Sequence, residues 1–86
     1  GNTQAISNQN ISQVVNSTRS RYRITISKMK PNDNSLRLTL DSVEFNQLIE
    51  WLDELVNQHG LRVENLDLSK DDKSGFVRVS RLVLEK

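Results

Sequence analysis

The segment FNQLIEWLDELVNQH, residues 45–59, carries the strongest amphipathic pattern in this chain. At about 100° per residue its apolar side chains fall within an arc of roughly 160°, which is typical of a helix with one broad buried face. Asp41 or Ser42 is placed to cap the start of this helix, and Gly60 stands where a left-handed residue commonly ends one. Such a helix needs a sheet to pack on. Its apolar arc consists of Phe45, Leu48, Ile49, Trp51, Leu52, Leu55 and Val56.

Four segments around this helix have the alternation and the flanking turns of β-strands. They are residues 23–30, 36–40, 61–69 and 76–85, and turn-forming residues at 31–35 and 70–75 separate the members of each pair. In three strands, two successive apolar residues are separated by three positions where regular alternation would give two. A slip of parity within a continuous strand predicts a β-bulge. The slips fall between Ile26 and Met29, between Val63 and Leu66, and between Val79 and Leu82.

Residues 1–18 contain no charged side chain, although 27% of the whole chain is charged. We expect residues 1–8 to be flexible. From Asn8 onward the helical spacing of Ile11, Val14, Val15 and Tyr22 predicts a first helix. Two interpretations of the uncharged stretch stay open, namely a flexible tether and a helix face that meets another protein.

The two halves of the chain resemble each other. Shifting the sequence by 37 positions places Ile11 on Leu48 and Ile24 on Leu61, and the parity slip falls at the same point of both first strands. The predicted order is therefore αββαββ. Two such units related by a pseudo-two-fold axis form one antiparallel sheet of strand order 1-2-4-3 with both helices on one face. We predict an α+β, ferredoxin-like fold, cyclically permuted so that the usual first strand comes last.

The composition indicates one small domain without an obvious chemical site. The 86 residues include no cysteine and one histidine, His59, and the net charge is +1. Thiol chemistry and disulfides are therefore excluded, and a zinc site is disfavoured. Asp71 and Asp72 lack the spacing of a calcium loop and are flanked by lysines. We expect no enzymatic activity, no metal and no cofactor.

One nucleic-acid motif needs to be weighed. The segment KSGFVRV, residues 73–79, faintly resembles the basic, glycine and aromatic signature of RNA-recognition modules. Those modules stack bases on two or three aromatic rings of an open sheet, and Phe76 is the only aromatic residue on its strand. We therefore expect no nucleic-acid partner.

The order of core residues resembles a known family. Its most distinctive part is the pattern Val43-x-Phe45-x-x-Leu48-x-x-Trp51-Leu52-x-x-Leu55. Before it come Ile11-Ser-Gln-Val-Val-Asn, Tyr22, Pro31 and Leu36-x-Leu, and after it Leu61-x-Val63-x-x-Leu66-x-Leu68 and Val77-x-Val79-x-x-Leu82-x-Leu84. Over residues 9–86 this sequence is similar to the periplasmic domain of type II secretion system protein M.

The resemblance implies a non-enzymatic part of the inner-membrane platform that exports folded proteins across the outer membrane of Gram-negative bacteria. It implies residues 9–86 as a periplasmic domain and residues 1–8 as the remnant of a tether to a single-pass inner-membrane helix that lies outside this sequence. It also implies a homodimer and a complex with the similarly folded periplasmic domain of protein L. The alternative is a small-molecule sensory or nucleic-acid-binding module of the same fold.

For self-association and for the contact with protein L we predict the first helix together with the first strand, because interface cores are depleted of charge. The candidate residues are Val14, Ser17, Tyr22 and Ile24. Trp51 is a further candidate, since tryptophan is enriched in interfaces, and its alternative role is that of a residue at the margin of the core. The rival surface is the third strand, whose Glu64 and Asp67 make a more acidic edge.

Overall fold

A computed structural model describes residues 11–86. Helix α1 (Ile11–Thr18) runs into a short 3-10 helix (Arg19–Tyr22), and strands β1 (Ile26–Pro31) and β2 (Ser35–Glu44) follow. Helix α2 (Phe45–Asn57) then precedes strands β3 (Arg62–Lys70) and β4 (Phe76–Glu85). The antiparallel sheet has the order β1-β2-β4-β3, as predicted. The segment predicted to be flexible, residues 1–8, lies outside the described residues.

The core lies between the sheet and one layer of helices. Leu36 pairs with Leu84 and Leu38 pairs with Leu82 at the centre of the sheet, and all four side chains are buried. Both helices contact β2, and α2 also contacts β3. Because all these apolar side chains leave water together, their burial is the main force holding α1 and α2 on this face.

Helix α2 begins without the predicted side-chain cap. Asp41 and Ser42 lie within β2, which continues to Glu44, so the prediction that either residue caps the helix is wrong. The amide of Phe45 instead donates to the carbonyl oxygen of Gly75 at 2.9 Å. This bond satisfies one of the amides that the first turn of a helix leaves unpaired. A loop from the other half of the molecule therefore replaces the local cap.

The end of α2 has the predicted geometry, two residues earlier than expected. The helix ends at Asn57, and Gly60 has a φ angle of +69°, the left-handed conformation that glycine adopts without steric cost. The amide of Leu61 then donates to the carbonyl oxygen of Leu55 at 3.1 Å. The chain can therefore reverse directly into β3.

The first strand is shorter than predicted because the chain turns sharply before it. Arg23 has a φ angle of +59°, and the amide of Ile24 donates back to the carbonyl oxygen of Arg19 at 3.1 Å. This turn points Ile24 into the core ahead of the strand. Strand β1 consequently starts at Ile26 and not at Arg23.

The predicted bulges are present. The pairing of β1 with β2 shifts between Ile26 and Lys28, and Ile26 and Met29 both pack against the core. In β4, Val79 and Leu82 are both fully buried although three positions separate them. In β3 the pairing shifts between Val63 and Asn65 and again between Asp67 and Leu68. The parity slips therefore mark irregularities that keep apolar residues on the core face.

Candidate interaction surface

Three of the five residues predicted for a partner interface have side chains inside the domain. Val14, Ile24 and Trp51 are each 6% exposed or less, and they belong to the core cluster. Their apolar character serves packing between the helices and the sheet, so these three side chains do not lie on the surface of the described domain. Ser17 is exposed and Tyr22 is partly exposed, and both stay available for contact.

The outer face of α1 is nevertheless free of charge. Its exposed residues are Gln13, Asn16 and Ser17, and the hydroxyl of Ser17 donates to the carbonyl oxygen of Val14 at 3.0 Å. A face of amides and hydroxyls costs less to dehydrate than a charged one. The backbone and small polar side chains of this face, and not Val14, would therefore be what a partner meets.

Trp51 ties α2 to α1 by a buried hydrogen bond. Its indole Nε1–H donates to the Thr18 hydroxyl at 2.8 Å, and that hydroxyl donates in turn to the carbonyl oxygen of Val14 at 2.8 Å. Both side chains are almost fully buried. This chain of bonds satisfies the polar atom of the indole in an otherwise apolar site, as buried tryptophans require.

A buried carboxylate lies between the 3-10 helix and α2. Glu54 is 6% exposed, and it accepts hydrogen bonds from the Tyr22 hydroxyl, at 2.6 Å, and from the Arg21 guanidinium. His59 Nε2 lies 3.6 Å from the same carboxylate. The Tyr22 hydrogen bond, assisted by Arg21, lowers the pKa of Glu54, and the same bond raises the pKa of Tyr22. The cluster is saturated by its own donors, so it acts as a link between elements.

A second polar cluster stabilises the turn between β3 and β4. Asp71 accepts hydrogen bonds from the Ser42 hydroxyl at 2.6 Å and from Arg78 Nε at 2.9 Å. These donors, with Ser42 first, lower the pKa of the Asp71 carboxyl. Among residues 11–86, no group of three or more histidine, aspartate or glutamate side chains is arranged to hold a metal ion.

Within residues 11–86, five large apolar side chains are exposed, between 37 and 43% each, and the sequence pattern places them in the core or leaves them unassigned. Three are on α2 and two are on β3. The pattern of α2 does not distinguish its exposed apolar residues from its buried ones, because the buried arc is rotated towards α1 and includes Glu54 in place of this flank. The five residues are Phe45, Ile49, Val56, Val63 and Leu68.

The two edges of the sheet differ in how well they resist pairing with another strand. Strand β1 has six residues, carries Lys28 and Lys30, and ends at Pro31. Lysine and proline are residues that protect sheet edges. Strand β3 has nine residues and no proline, and all but one of them are exposed. Strand β3 is therefore the longer exposed edge, although its four charged residues and its two irregularities of pairing also oppose uncontrolled pairing.

Comparison with known proteins identifies the family. Residues 11–86 match the family model described as type II secretion system (T2SS), protein M. The chain belongs to the protein M family of the type II secretion system. It is 34% identical over 74 residues to the type II secretion system protein M of Aeromonas hydrophila, and 26% identical over 86 residues to that of Vibrio cholerae. These alignments cover 85% and 100% of this chain.

The chain spans about half the length of these two protein M relatives, 45% and 52% respectively. Its fold is similar to that of the periplasmic domain of EpsM from Vibrio cholerae, with a TM-score of 0.80 at 23% sequence identity. That match covers 91% of this chain and the whole of the EpsM domain. The permuted ferredoxin-like fold predicted from the sequence is thereby confirmed. No helix within residues 11–86 is long and apolar enough to span a membrane.

Proposed function

We propose that this protein M domain is a non-catalytic interaction module of the type II secretion inner-membrane platform, placed in the periplasm on a single-pass membrane anchor. It associates with itself and with the periplasmic domain of protein L. The observation that carries the proposal is the family match along residues 11–86, which includes every helix and strand described. The saturated polar clusters and the exposed apolar residues are consistent with a surface made for contact and not for chemistry.

For protein L we propose the surface formed by the outer face of α1, the 3-10 helix and β1. This surface combines the charge-free face of α1 with a basic region, since Arg23 in the turn before β1 and Lys28 and Lys30 on β1 are all exposed. Ser17 and Tyr22 are its accessible members among the predicted interface residues. A short basic edge discourages uncontrolled strand pairing and still permits a partner with a complementary acidic edge.

The test uses two matched substitutions at one exposed position. Ser17→Glu introduces a carboxylate on α1, whereas Ser17→Gln introduces a side chain of similar size without charge. We expect Ser17→Glu to weaken binding of the purified domain to the cognate protein L periplasmic domain by about tenfold or more, measured by calorimetry, and Ser17→Gln to weaken it less. In bacteria that lack their own protein M gene, full-length protein M with Ser17→Glu should export less protein than the parent.

Two results would contradict this proposal, one for the α1 surface and one for the platform function. Equal binding by parent, Ser17→Glu and Ser17→Gln would remove α1 from the protein L surface. No binding of the parent to protein L, together with normal export by bacteria that lack this protein M, would remove the platform function itself.

A further inference from the structure

The exposed apolar residues of α2 form a narrow stripe on one flank of the helix. Phe45, Ile49 and Val56 fall within an arc of about 40° at 100° per residue. The opposite flank carries Trp51 and Glu54, which bond to α1 and to the 3-10 helix. The stripe therefore points away from α1, and no element among residues 11–86 covers it.

The exposed apolar residues of β3 face the same layer. Val63 pairs with Leu84 and Leu68 pairs with Val79, and both partners are fully buried under the helices. Directly paired residues lie on the same face of a sheet. Val63 and Leu68 are therefore on the helix side, next to α2, which contacts β3. The stripe and these two residues together make one exposed apolar surface beside the β3 edge of the sheet, here called the α2/β3 groove.

We propose that the α2/β3 groove is the self-association surface, and that its occupant is a second copy of this chain related by a two-fold axis and paired antiparallel along β3. This inference rests on the self-association part of the proposed function. It assigns self-association to the rival surface on β3, in place of the first helix and first strand predicted from the sequence, and leaves those for protein L. The two grooves then cover each other, and the four-stranded sheet of one copy continues into that of the other.

Apolar complementarity favours this two-fold arrangement over a head-to-tail one. Across a two-fold axis, the stripe of one α2 meets the stripe of the other, so apolar surface covers apolar surface. In a head-to-tail contact the groove would instead meet the β1 side of its neighbour. That side presents Arg23, Lys28 and Lys30, and burying those charges against an apolar groove without partners is costly.

In one antiparallel register, charged residues of β3 in one copy face oppositely charged residues of β3 in the other copy. Placing Arg62 of each copy opposite Asp67 of the other also places Val63 opposite Leu66. Within each pair the two side chains lie on the same face of the sheet. This is possible because the irregularity between Val63 and Asn65 adds one residue to the strand. The Arg–Asp and Val–Leu pairs thus lie on both sides of the axis, where Glu64 of each copy faces Asn65 of the other. A register displaced by two residues would oppose Glu64 to Asp67, and facing like charges are disfavoured.

The experiment is sedimentation equilibrium of the domain over a concentration series, with one substitution placed on each of the two surfaces. Val63→Lys lies in the α2/β3 groove, and Ser17→Lys adds the same charge on α1. We expect Val63→Lys to raise the dimer dissociation constant by about tenfold or more, and Ser17→Lys to leave it within about twofold. Ile49→Lys, on the exposed flank of α2, is a second groove variant in case β3 tolerates the change poorly, and circular dichroism checks the fold of each.

Charge exchange tests the register. Arg62→Asp and Asp67→Arg should each weaken the dimer, because each opposes two like charges across the axis. The variant that carries both substitutions should bind itself more tightly than either single variant, because a carboxylate and a guanidinium again face each other across the axis. Recovery should be partial, because each copy loses its own Arg62–Glu85 and Asp67–Arg81 ion pairs. Failure of this double variant to recover, with both single variants folded, would overturn the register.

The remaining outcomes test separately whether the domain self-associates and whether the α2/β3 groove is the contact surface. A dimeric parent whose Val63→Lys and Ile49→Lys variants also dimerise overturns the groove as the contact and leaves self-association standing. A parent that stays monomeric up to about 1 mM overturns both this inference and the proposed self-association. Neither outcome bears on the calorimetric measurement with protein L.

Discussion

At the scale of single residues, the Glu54 carboxylate is the most constrained charge described in this domain. Tyr22 and Arg21 donate to it from the 3-10 helix, and almost none of it is exposed. Removing the charge of a buried acceptor while its donors stay in place leaves those donors poorly satisfied. The contribution of this residue to stability should therefore depend on its ionisation.

The pH dependence of stability should show this contribution. Folding lowers the pKa of Glu54 below its ordinary value of 4.5. The stabilisation is therefore complete above that value and is lost as the pH falls through the lower pKa of the folded state. We expect Glu54→Gln to lower the melting temperature at pH 7, and we expect the difference from the parent to shrink towards pH 3. Melts followed by circular dichroism across this range would measure it.

Glu50→Gln is the control, because Glu50 is an exposed carboxylate on the same helix. Its melting temperature should follow that of the parent at every pH. A Glu54→Gln difference that stays constant between pH 7 and pH 3 would contradict a role for the ionised carboxylate.

Thr18 allows a second prediction at this scale, because its hydroxyl is the acceptor for the Trp51 indole. Thr18→Val keeps the shape of the side chain and removes the hydroxyl, leaving a buried N–H without a partner. We expect this change to cost about 1–3 kcal/mol of unfolding free energy in urea titrations. Thr18→Ser keeps the hydroxyl and should cost less. Equal losses in the two variants would show that the methyl group, and not the hydrogen bond, matters here.

At the scale of elements, α2 differs from the helix predicted in the direction of its buried face. Leu48, Trp51, Leu52 and Leu55 are buried as expected, and Phe45, Ile49 and Val56 are not. The buried arc is rotated towards α1 because Trp51 and Glu54 bond to that side. One flank of α2 therefore supports the fold and the other is left for contact.

Neighbouring residues of α2 should separate these two roles. Leu48 is 0% exposed and Ile49 is 43% exposed. We expect Leu48→Ala to reduce the unfolding free energy of the monomeric domain by about 2–5 kcal/mol, because it leaves a cavity in the core. Ile49→Ala should cost less than about 1 kcal/mol, because little of its contact area is lost on the exposed flank. Similar losses at both positions, measured in urea at low protein concentration, would contradict the assigned helix face.

At the scale of the whole molecule, the domain consists of two αββ units that share one sheet. Strands β2 and β4, one from each unit, pair along the centre of the sheet, and their buried residues contact both halves of the core. Neither unit can bury its own strands without the other. Cooperative two-state unfolding of the domain is the expected consequence.

The domain boundary can be tested at this scale. The predicted domain starts at residue 9, and the family match and the described core both start at Ile11. We expect deletion of residues 1–8 to change the melting temperature by no more than about 2 °C, because the sequence predicts a flexible segment there. A loss of several degrees would show that this segment contributes to the fold.

Local pattern was sufficient for most of the architecture. The order αββαββ, the left-handed Gly60 and the bulges between Ile26 and Met29 and between Val79 and Leu82 were all predictable, because each depends on periodicity or turn chemistry over a few residues. The permuted ferredoxin-like fold followed from the similarity of the two halves. The family followed from the order of core residues along residues 9–86.

The tertiary structure alone decided which apolar residues are core and which are surface. Ile24 is buried because Arg23 turns the chain, and Val14 and Trp51 are buried because α1 and α2 pack side by side. The same packing gives Glu54 its donors and leaves the stripe of Phe45, Ile49 and Val56 uncovered. Periodicity identifies the apolar face of a helix, but the fraction of that face that is covered depends on neighbours that are distant in sequence.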